Sequence, residues 1–107
     1  MTEKLTGIEL IAAERERQIT KEGWTPEHDA THAEGQLATA AACYALDYSG
    51  QMLGGAEEQR AASYFWPWDD EWWKPTPLDP VRQLTKAGAL IAAEIDRIQR
   101  LRTRAEG

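Results

Sequence analysis

The chain has 107 residues, the length of a single domain, and 42% of them are apolar, which is enough for a modest core. Its mean hydropathy of −0.60 and its short apolar runs argue against a membrane-spanning segment. The net charge of −6 argues against duplex DNA or RNA as a partner, because those polymers are bound through Lys and Arg. We therefore expect one domain over residues 1–107 that binds neither a membrane nor nucleic acid.

The N-terminal residues and the cysteine content indicate a cytoplasmic protein. Residues 1–6 lack the basic start and the apolar run of a secretory signal. Cys43 is the only cysteine in the sequence, which excludes an internal disulfide and a multi-cysteine zinc site. Since Cys43 lies in an Ala-rich stretch, we expect it to pack as a small apolar side chain.

The first predicted helix begins after Thr6 and ends before Gly23. Thr6 and Glu9 have the spacing of a capping box, and glycine commonly follows the last turn of a helix. We expect the charged run 14–17 to face mostly outward. The apolar residues near the opposite face, which we expect to be buried, are Ile8, Ile11, Ala12 and Ile19.

The second predicted helix follows the turn 23–29 and extends to about Tyr48. Thr31 and Glu34 again have the spacing of a capping box. The many alanines of this helix indicate a close approach to another helix.

Residues 50–80 are predicted to be a long irregular loop, in which 57–64 has the composition of a short helix. Four of the five tryptophans lie between positions 66 and 73 of this loop. Long loops in a small domain usually serve a function, and buried indoles need a partner for their N–H group. These tryptophans therefore either complete the core or line a binding surface.

The last predicted helix has the clearest apolar periodicity. Asp79 is its predicted N-cap and Pro80 its first residue. Gly88 in mid-helix costs stability relative to Ala, so we expect a close helix crossing there, with Ala87 and Ala89 beside it. The sequence Leu-Ile-Ala-Ala-Glu occurs at both 10–14 and 90–94, which suggests that the first and last helices present similar small-residue faces to each other. The residues at three- and four-residue spacing are Val81, Leu84, Gly88, Ile91, Ile95 and Ile98. Such seams in a small domain predict a homo-oligomer.

No stretch of the sequence alternates between apolar and polar residues as a strand does. We therefore predict an all-α fold, a small bundle of three main helices with the Trp-rich loop packed across them.

The aromatic residues and their basic neighbours predict a pocket for a small nucleotide-like ligand. Indole faces stack on bases, and cations or a helix N-terminus receive phosphate. The competing interpretation is that the tryptophans hold a long loop on the core. The predicted ligand-binding residues are Trp24, His28, Asp29, Trp66, Trp68, Trp72, Trp73, Lys74, Arg82 and Lys86.

A metal-dependent nucleotide hydrolase is the alternative hypothesis, with Mg²⁺ or Mn²⁺ as its cofactor. All-α nucleotide pyrophosphohydrolases have a Glu-Glu-x-x-Glu run. The pair Glu57-Glu58 begins such a run here, but Ala61 stands where the third glutamate should be. An ordinary polar turn with a helix cap competes with this interpretation, and no catalytic residue is assigned. The alternative metal ligands are Glu14, Asp29, His32 and Glu34.

Several segments together resemble a family of small bacteriophage and prophage proteins. They are Glu22-Gly23-Trp24-Thr25-Pro26-Glu27-His28-Asp29, Trp66-Pro67-Trp68-Asp69, Trp72-Trp73-Lys74-Pro75 and Lys86-Ala87-Gly88-Ala89-Leu90-Ile91. The resemblance covers most of the chain and implies a phage setting, without a specific chemistry. The turn 22–24 followed by Asp29 is also similar to a short segment of ryanodine-receptor repeat domains, which are suspected ligand sensors.

The phage setting and the predicted pocket together favour a phage accessory protein that binds a nucleotide-derived ligand. Sequestration of a host immune signalling nucleotide is one use of such binding. A third hypothesis is a protein that inhibits a host defence enzyme, with the acidic Trp-rich loop as its main contact.

Overall fold

The computed structural model describes residues 4–106, which form α-helices and one 3-10 turn but no strand, so the all-α prediction is confirmed. The elements are α1 (Gly7–Lys21), α2 (Pro26–Asp29), α3 (Gln36–Leu53), α4 (Ala56–Phe65), the 3-10 turn (Asp70–Trp72) and α5 (Pro80–Glu106). Helix α5 packs against α1, α2 and α3, and α4 packs against α3. Within the described residues, no helix combines the length and apolarity needed to cross a membrane.

Two predicted helix starts are confirmed. The Thr6 hydroxyl accepts a hydrogen bond from the backbone N–H of Glu9 at 3.2 Å, and the Thr6 N–H donates to the Glu9 carboxylate at 2.8 Å. At α5, the Asp79 carboxylate accepts from the Arg82 N–H at 3.1 Å. These bonds satisfy N–H groups that the helix itself leaves without partners.

The predicted capping box at Thr31 and Glu34 is wrong. Helix α3 begins at Gln36, directly after Gly35, which has a φ of 82°. A positive φ is readily adopted by glycine and rarely by other residues. The chain therefore enters α3 through a glycine turn, without a side-chain cap.

Residues 50–80 are not one irregular loop. Helix α3 continues to Leu53 and ends at Gly54, which has a φ of 69°, and α4 then covers Ala56–Phe65. The irregular part is residues 66–79, which we call the Trp segment; it contains only the 3-10 turn. Gly50 does not end α3, since it lies inside the helix where α4 packs closely.

The core lies between α3, α4, α5 and the Trp segment, and it contains many small side chains. Alanines 40, 41, 62, 87 and 93 are all buried there. Small residues let helix axes approach closely. The larger core residues are Leu37, Cys43, Tyr44, Trp66 and Leu90.

A buried glutamine joins α5 to α3 and to the Trp segment. The Gln83 amide donates to the Tyr44 carbonyl at 3.0 Å and to the Asp47 carboxylate at 2.8 Å. Its oxygen accepts from the backbone N–H of Thr76 at 2.7 Å. Every polar atom of this side chain therefore has a partner, which compensates for its removal from water.

Helix α1 presents its polar face to the protein interior, which contradicts the expected orientation. Glu14 and Gln18 are 3% and 2% exposed, whereas Ile8 is 82% exposed. The charge of Glu14 is accommodated because Arg17 and Arg82 donate hydrogen bonds to it. A buried carboxylate is tolerated when it is paired in this way.

The predicted crossing at Gly88 is occupied by α1. A Cβ atom at Gly88 would overlap the side chain of Ile11. The neighbouring apolar residues of the periodic pattern in α5 face outward, since Leu84, Ile91 and Ile95 are 41%, 50% and 51% exposed. These three residues therefore do not belong to the core.

Gly50→Ala is expected to lower the free energy of unfolding by about 1–3 kcal/mol, the usual cost of overpacking. A Cβ at Gly50 would lie 2.8 Å from the Cβ of Glu58 and 2.9 Å from the Gly55 carbonyl oxygen, and neither atom moves easily. Urea unfolding followed by circular dichroism measures the change. Gly7→Ala is the matched control, because a Cβ there meets open space, and its stability should be unchanged or slightly higher. Equal stability of the two variants would contradict the close packing of α3 and α4.

Candidate functional site

One pocket of about 800 Å³ lies between α1, α2, the Trp segment and α5. It is open to solvent on one side and combines charged and aromatic walls. The charged and polar residues that line it are Glu14, Arg17, Gln18, Glu22, His28, Asp29, His32, Asp69, Lys74, Arg82 and Lys86. The remaining lining residues are Gly23, Trp24, Leu37, Tyr44, Trp66, Pro67, Trp68, Trp72 and Leu90.

A buried carboxylate organises two arginines at one wall of the pocket. Arg17 donates to both oxygens of Glu14, at 2.9 and 3.0 Å, and Arg82 donates to one of them. Burial raises the pKa of Glu14, but the hydrogen bonds from Arg17 and Arg82 outweigh it and hold the pKa below its ordinary value. Glu14 is therefore ionised, and it holds both guanidinium groups at the pocket wall.

Two lysines bring further positive charge to the pocket. The Lys86 ammonium donates to the Lys74 carbonyl at 2.9 Å and lies 5.5 Å from the centre of the Tyr44 ring. Burial, with a contribution from the charge of Arg82, lowers the pKa of Lys86. The Lys74 ammonium lies 5.7 Å from the centre of the Trp72 ring. Within residues 4–106 neither ammonium group forms an ion pair with a carboxylate.

The aromatic wall is built on Tyr44 of α3. Trp73 stacks on the Tyr44 ring, with 5.0 Å between the ring centres and 28° between the planes. Trp66 packs edge-on against Tyr44 at 5.4 Å and against Trp68 at 5.3 Å. Trp72 stands apart from this cluster and is 48% exposed. The tryptophans therefore divide into a packed group and one that presents its surface to the pocket.

Two polar side-chain atoms on the pocket wall are buried and have no hydrogen-bond partner among the described residues. They are the amide oxygen of Gln18 and the indole N–H of Trp68. The Gln18 amide nitrogen donates to the Glu14 carboxylate at 3.2 Å, which fixes the orientation of the amide because a carboxylate only accepts. The pocket wall therefore contains one unpaired acceptor, on Gln18, and one unpaired donor, on Trp68.

The two histidines lie together beside the Trp segment. Their Nε2 atoms are 3.4 Å apart, and the His32 ring centre is 5.0 Å from that of Trp68. Burial, and secondarily the nearby His28, lowers the pKa of His32. Protonation of His32 is thereby disfavoured.

Nine of the ten predicted ligand-binding residues line the pocket, and Trp73 is the one that does not. Trp73 instead supports the wall through its contact with Tyr44. Sequence reasoning missed Arg17 and Gln18, both of which line the pocket. The four-residue spacing of Glu14 and Gln18 was the available signal, since it puts two polar side chains on one helix face.

The residues proposed as alternative metal ligands are engaged elsewhere or lie apart. Asp29 is 1% exposed and forms an ion pair of 2.5 Å with Arg15, which also donates to the Trp24 carbonyl at 3.3 Å. Glu34 is exposed and does not line the pocket. In the described part of the chain, no group of three or more His, Cys, Asp or Glu side chains is arranged to hold a metal ion.

Comparisons with known proteins identify no relative of this chain. No protein-family model matches the chain. No curated protein and no solved structure matches it either.

Glu14→Gln is expected to destabilise the protein at neutral pH and to have progressively less effect in acid. Because the pKa of Glu14 is lowered by folding, its stabilising contribution is present above the unfolded-state pKa and is lost as the pH falls through the folded-state pKa. Urea unfolding of wild type and variant over a series of pH values measures this difference.

The matched control for this pH series is Glu16→Gln. Glu16 is exposed, and its carboxylate forms no ion pair within residues 4–106. Its substitution should leave the pH dependence of stability unchanged. A constant difference between wild type and Glu14→Gln at every pH would contradict the role given to the Glu14 charge.

Proposed function

We propose that this protein is a phage accessory protein that binds a small nucleotide-derived ligand in the pocket and sequesters it without turnover. A host immune signalling nucleotide is the ligand class that fits a phage setting. The setting follows from the sequence resemblance, and the ligand class follows from the chemistry of the pocket wall.

The observation that carries the proposal is the pairing of an available indole face with ammonium groups. Trp72 is about half exposed and lines the pocket, and the Lys74 ammonium lies 5.7 Å from the centre of its ring. Lys86 lines the same pocket, and neither ammonium has a carboxylate partner in the described chain. A ring of a base gains about 1–3 kcal/mol from stacking on an aromatic side chain. The phosphate groups carried by the sugar of the same nucleotide would meet the ammonium groups.

The buried polar atoms of Gln18 and Trp68 support the same class of ligand. An unpaired buried donor or acceptor costs free energy that a ligand hydrogen bond restores. A nucleobase edge carries both donors and acceptors, which are the groups that these two atoms require. A purely apolar ligand would leave them unpaired.

Trp72→Ala is expected to weaken binding roughly ten- to hundredfold while the helical circular dichroism is unchanged. The probes are ADP-ribose, a cyclic dinucleotide and a linear nucleoside triphosphate, titrated by isothermal calorimetry. Tyr64→Ala is the control, since Tyr64 is 82% exposed and does not line the pocket. Equal affinities of Trp72→Ala and wild type for every bound probe would contradict the stacking role.

Lys74→Met separates charge recognition from stacking. The side chain of Lys74 forms no hydrogen bond with the described residues, whereas its backbone N–H donates to the Tyr44 hydroxyl at 3.3 Å. The substitution should therefore leave the fold intact and lower the affinity for ADP more than the affinity for adenosine. The same loss for both probes would argue against a phosphate contact at Lys74.

A further inference from the structure

The outward face of α5 carries a continuous row of aliphatic side chains, which we call the α5 seam. It consists of Val81, Leu84, Ile91, Ile95 and Ile98, which are between 37% and 58% exposed. The spacing of these residues alternates between three and four when Gly88 is included, as in the contact positions of a coiled coil. Helix α5 has 27 residues and is therefore about 40 Å long.

The seam is separate from the contacts that α5 makes inside the chain. Helix α5 packs on α3 through Ala87, Leu90 and Ala93, which are buried in the core. Helix α1 meets the seam at Gly88, against which Ile11 lies, and its Leu10 and Ala13 line a small cleft together with Val81. Within the described residues, Leu84, Ile91, Ile95 and Ile98 nevertheless keep between 37% and 51% of their surface exposed.

We infer that the α5 seam pairs with the same seam of a second copy, antiparallel, to form a homodimer. The five aliphatic side chains expose on the order of 400 Å² per chain, within the range of the largest patch on a typical single protein. With the stems of the flanking side chains, two such seams would bury about 1,000 Å², the minimum expected of a specific interface. The interface is the same patch on both copies, as a two-fold axis requires.

The charges along α5 favour the antiparallel arrangement. Arg102 is exposed and occupies the next position of the seam after Ile98. In a parallel pair the two Arg102 side chains would face each other across the axis, and like charges in direct opposition are destabilising. In an antiparallel pair with its axis between Ile91 and Ile95, Arg102 of one copy faces Leu84 of the other. Antiparallel helices also place opposite ends of their dipoles side by side.

This inference does not depend on the proposed ligand, because the seam residues do not line the pocket. Multi-angle light scattering after size exclusion should give twice the chain mass of 12.0 kDa for the wild type. Ile95→Lys should give the mass of one chain with unchanged helical circular dichroism, because it places two ammonium groups beside the axis. A wild-type mass of one chain, or of three or more, would overturn the inference.

Leu78→Lys is the matched control, since Leu78 is 98% exposed and lies outside the seam. It should retain the dimer mass, and its dissociation would overturn the assignment of the interface. If Ile95→Lys loses its helical signal, Ile95→Ala takes its place, with the expectation of weaker dimerisation on dilution. Unchanged dimerisation of the folded variant would also overturn the inference.

Arg102→Cys tests the orientation of the two helices. In the antiparallel pair the two substituted positions are about 27 Å apart along the axis, whereas a disulfide needs Cα atoms within about 7 Å. Oxidation should therefore give no more covalent dimer than the wild type, whose Cys43 is buried. A covalent dimer formed through position 102 would overturn the antiparallel arrangement.

Discussion

The stacking of Trp73 on Tyr44 is the contact on which the pocket depends. It fixes the Trp segment, which has little regular structure of its own, to the centre of α3. Trp66 packs against both rings and donates its indole N–H to the Asp69 carbonyl at 3.1 Å. Buried aromatic groups of this size contribute much of the stability of a small core. Together with the bonds from Gln83 to Thr76 and from Lys86 to Lys74, this cluster sets the position of Trp72 and Lys74 relative to α5.

The opposite wall is held by charge. Glu14 pairs with Arg17 in its own helix and with Arg82 at the start of α5. Asp29 and Arg15 join α2 to α1 in the same way. These ion pairs take the place of an apolar contact between α1 and the pocket, and they leave guanidinium groups next to the aromatic wall. Part of the interior of this small domain is therefore a cavity lined by charged groups instead of packed apolar side chains.

The sequence was sufficient for the helical class and for the local signals that need only near neighbours. Thr6 with Glu9 and Asp79 with Pro80 mark real helix starts, because a cap is formed within one turn. The orientation of α1 was not predictable, since it depends on Arg82, which is 68 positions from Glu14 along the chain. The aromatic residues of the site were found from their unusual density. The spacing of Glu14 and Gln18 puts both on one helix face, but Gln18 was missed because the burial of that face depends on distant contacts.

Native mass spectrometry of the wild-type protein, mixed with linear, cyclic and ADP-ribose-type nucleotides, tests the central claim most directly. The account predicts a complex that retains one of these ligands at its original mass. A spectrum that contains only free protein for the whole panel would contradict nucleotide binding. Release of a ligand with a changed mass would contradict sequestration and favour a hydrolase.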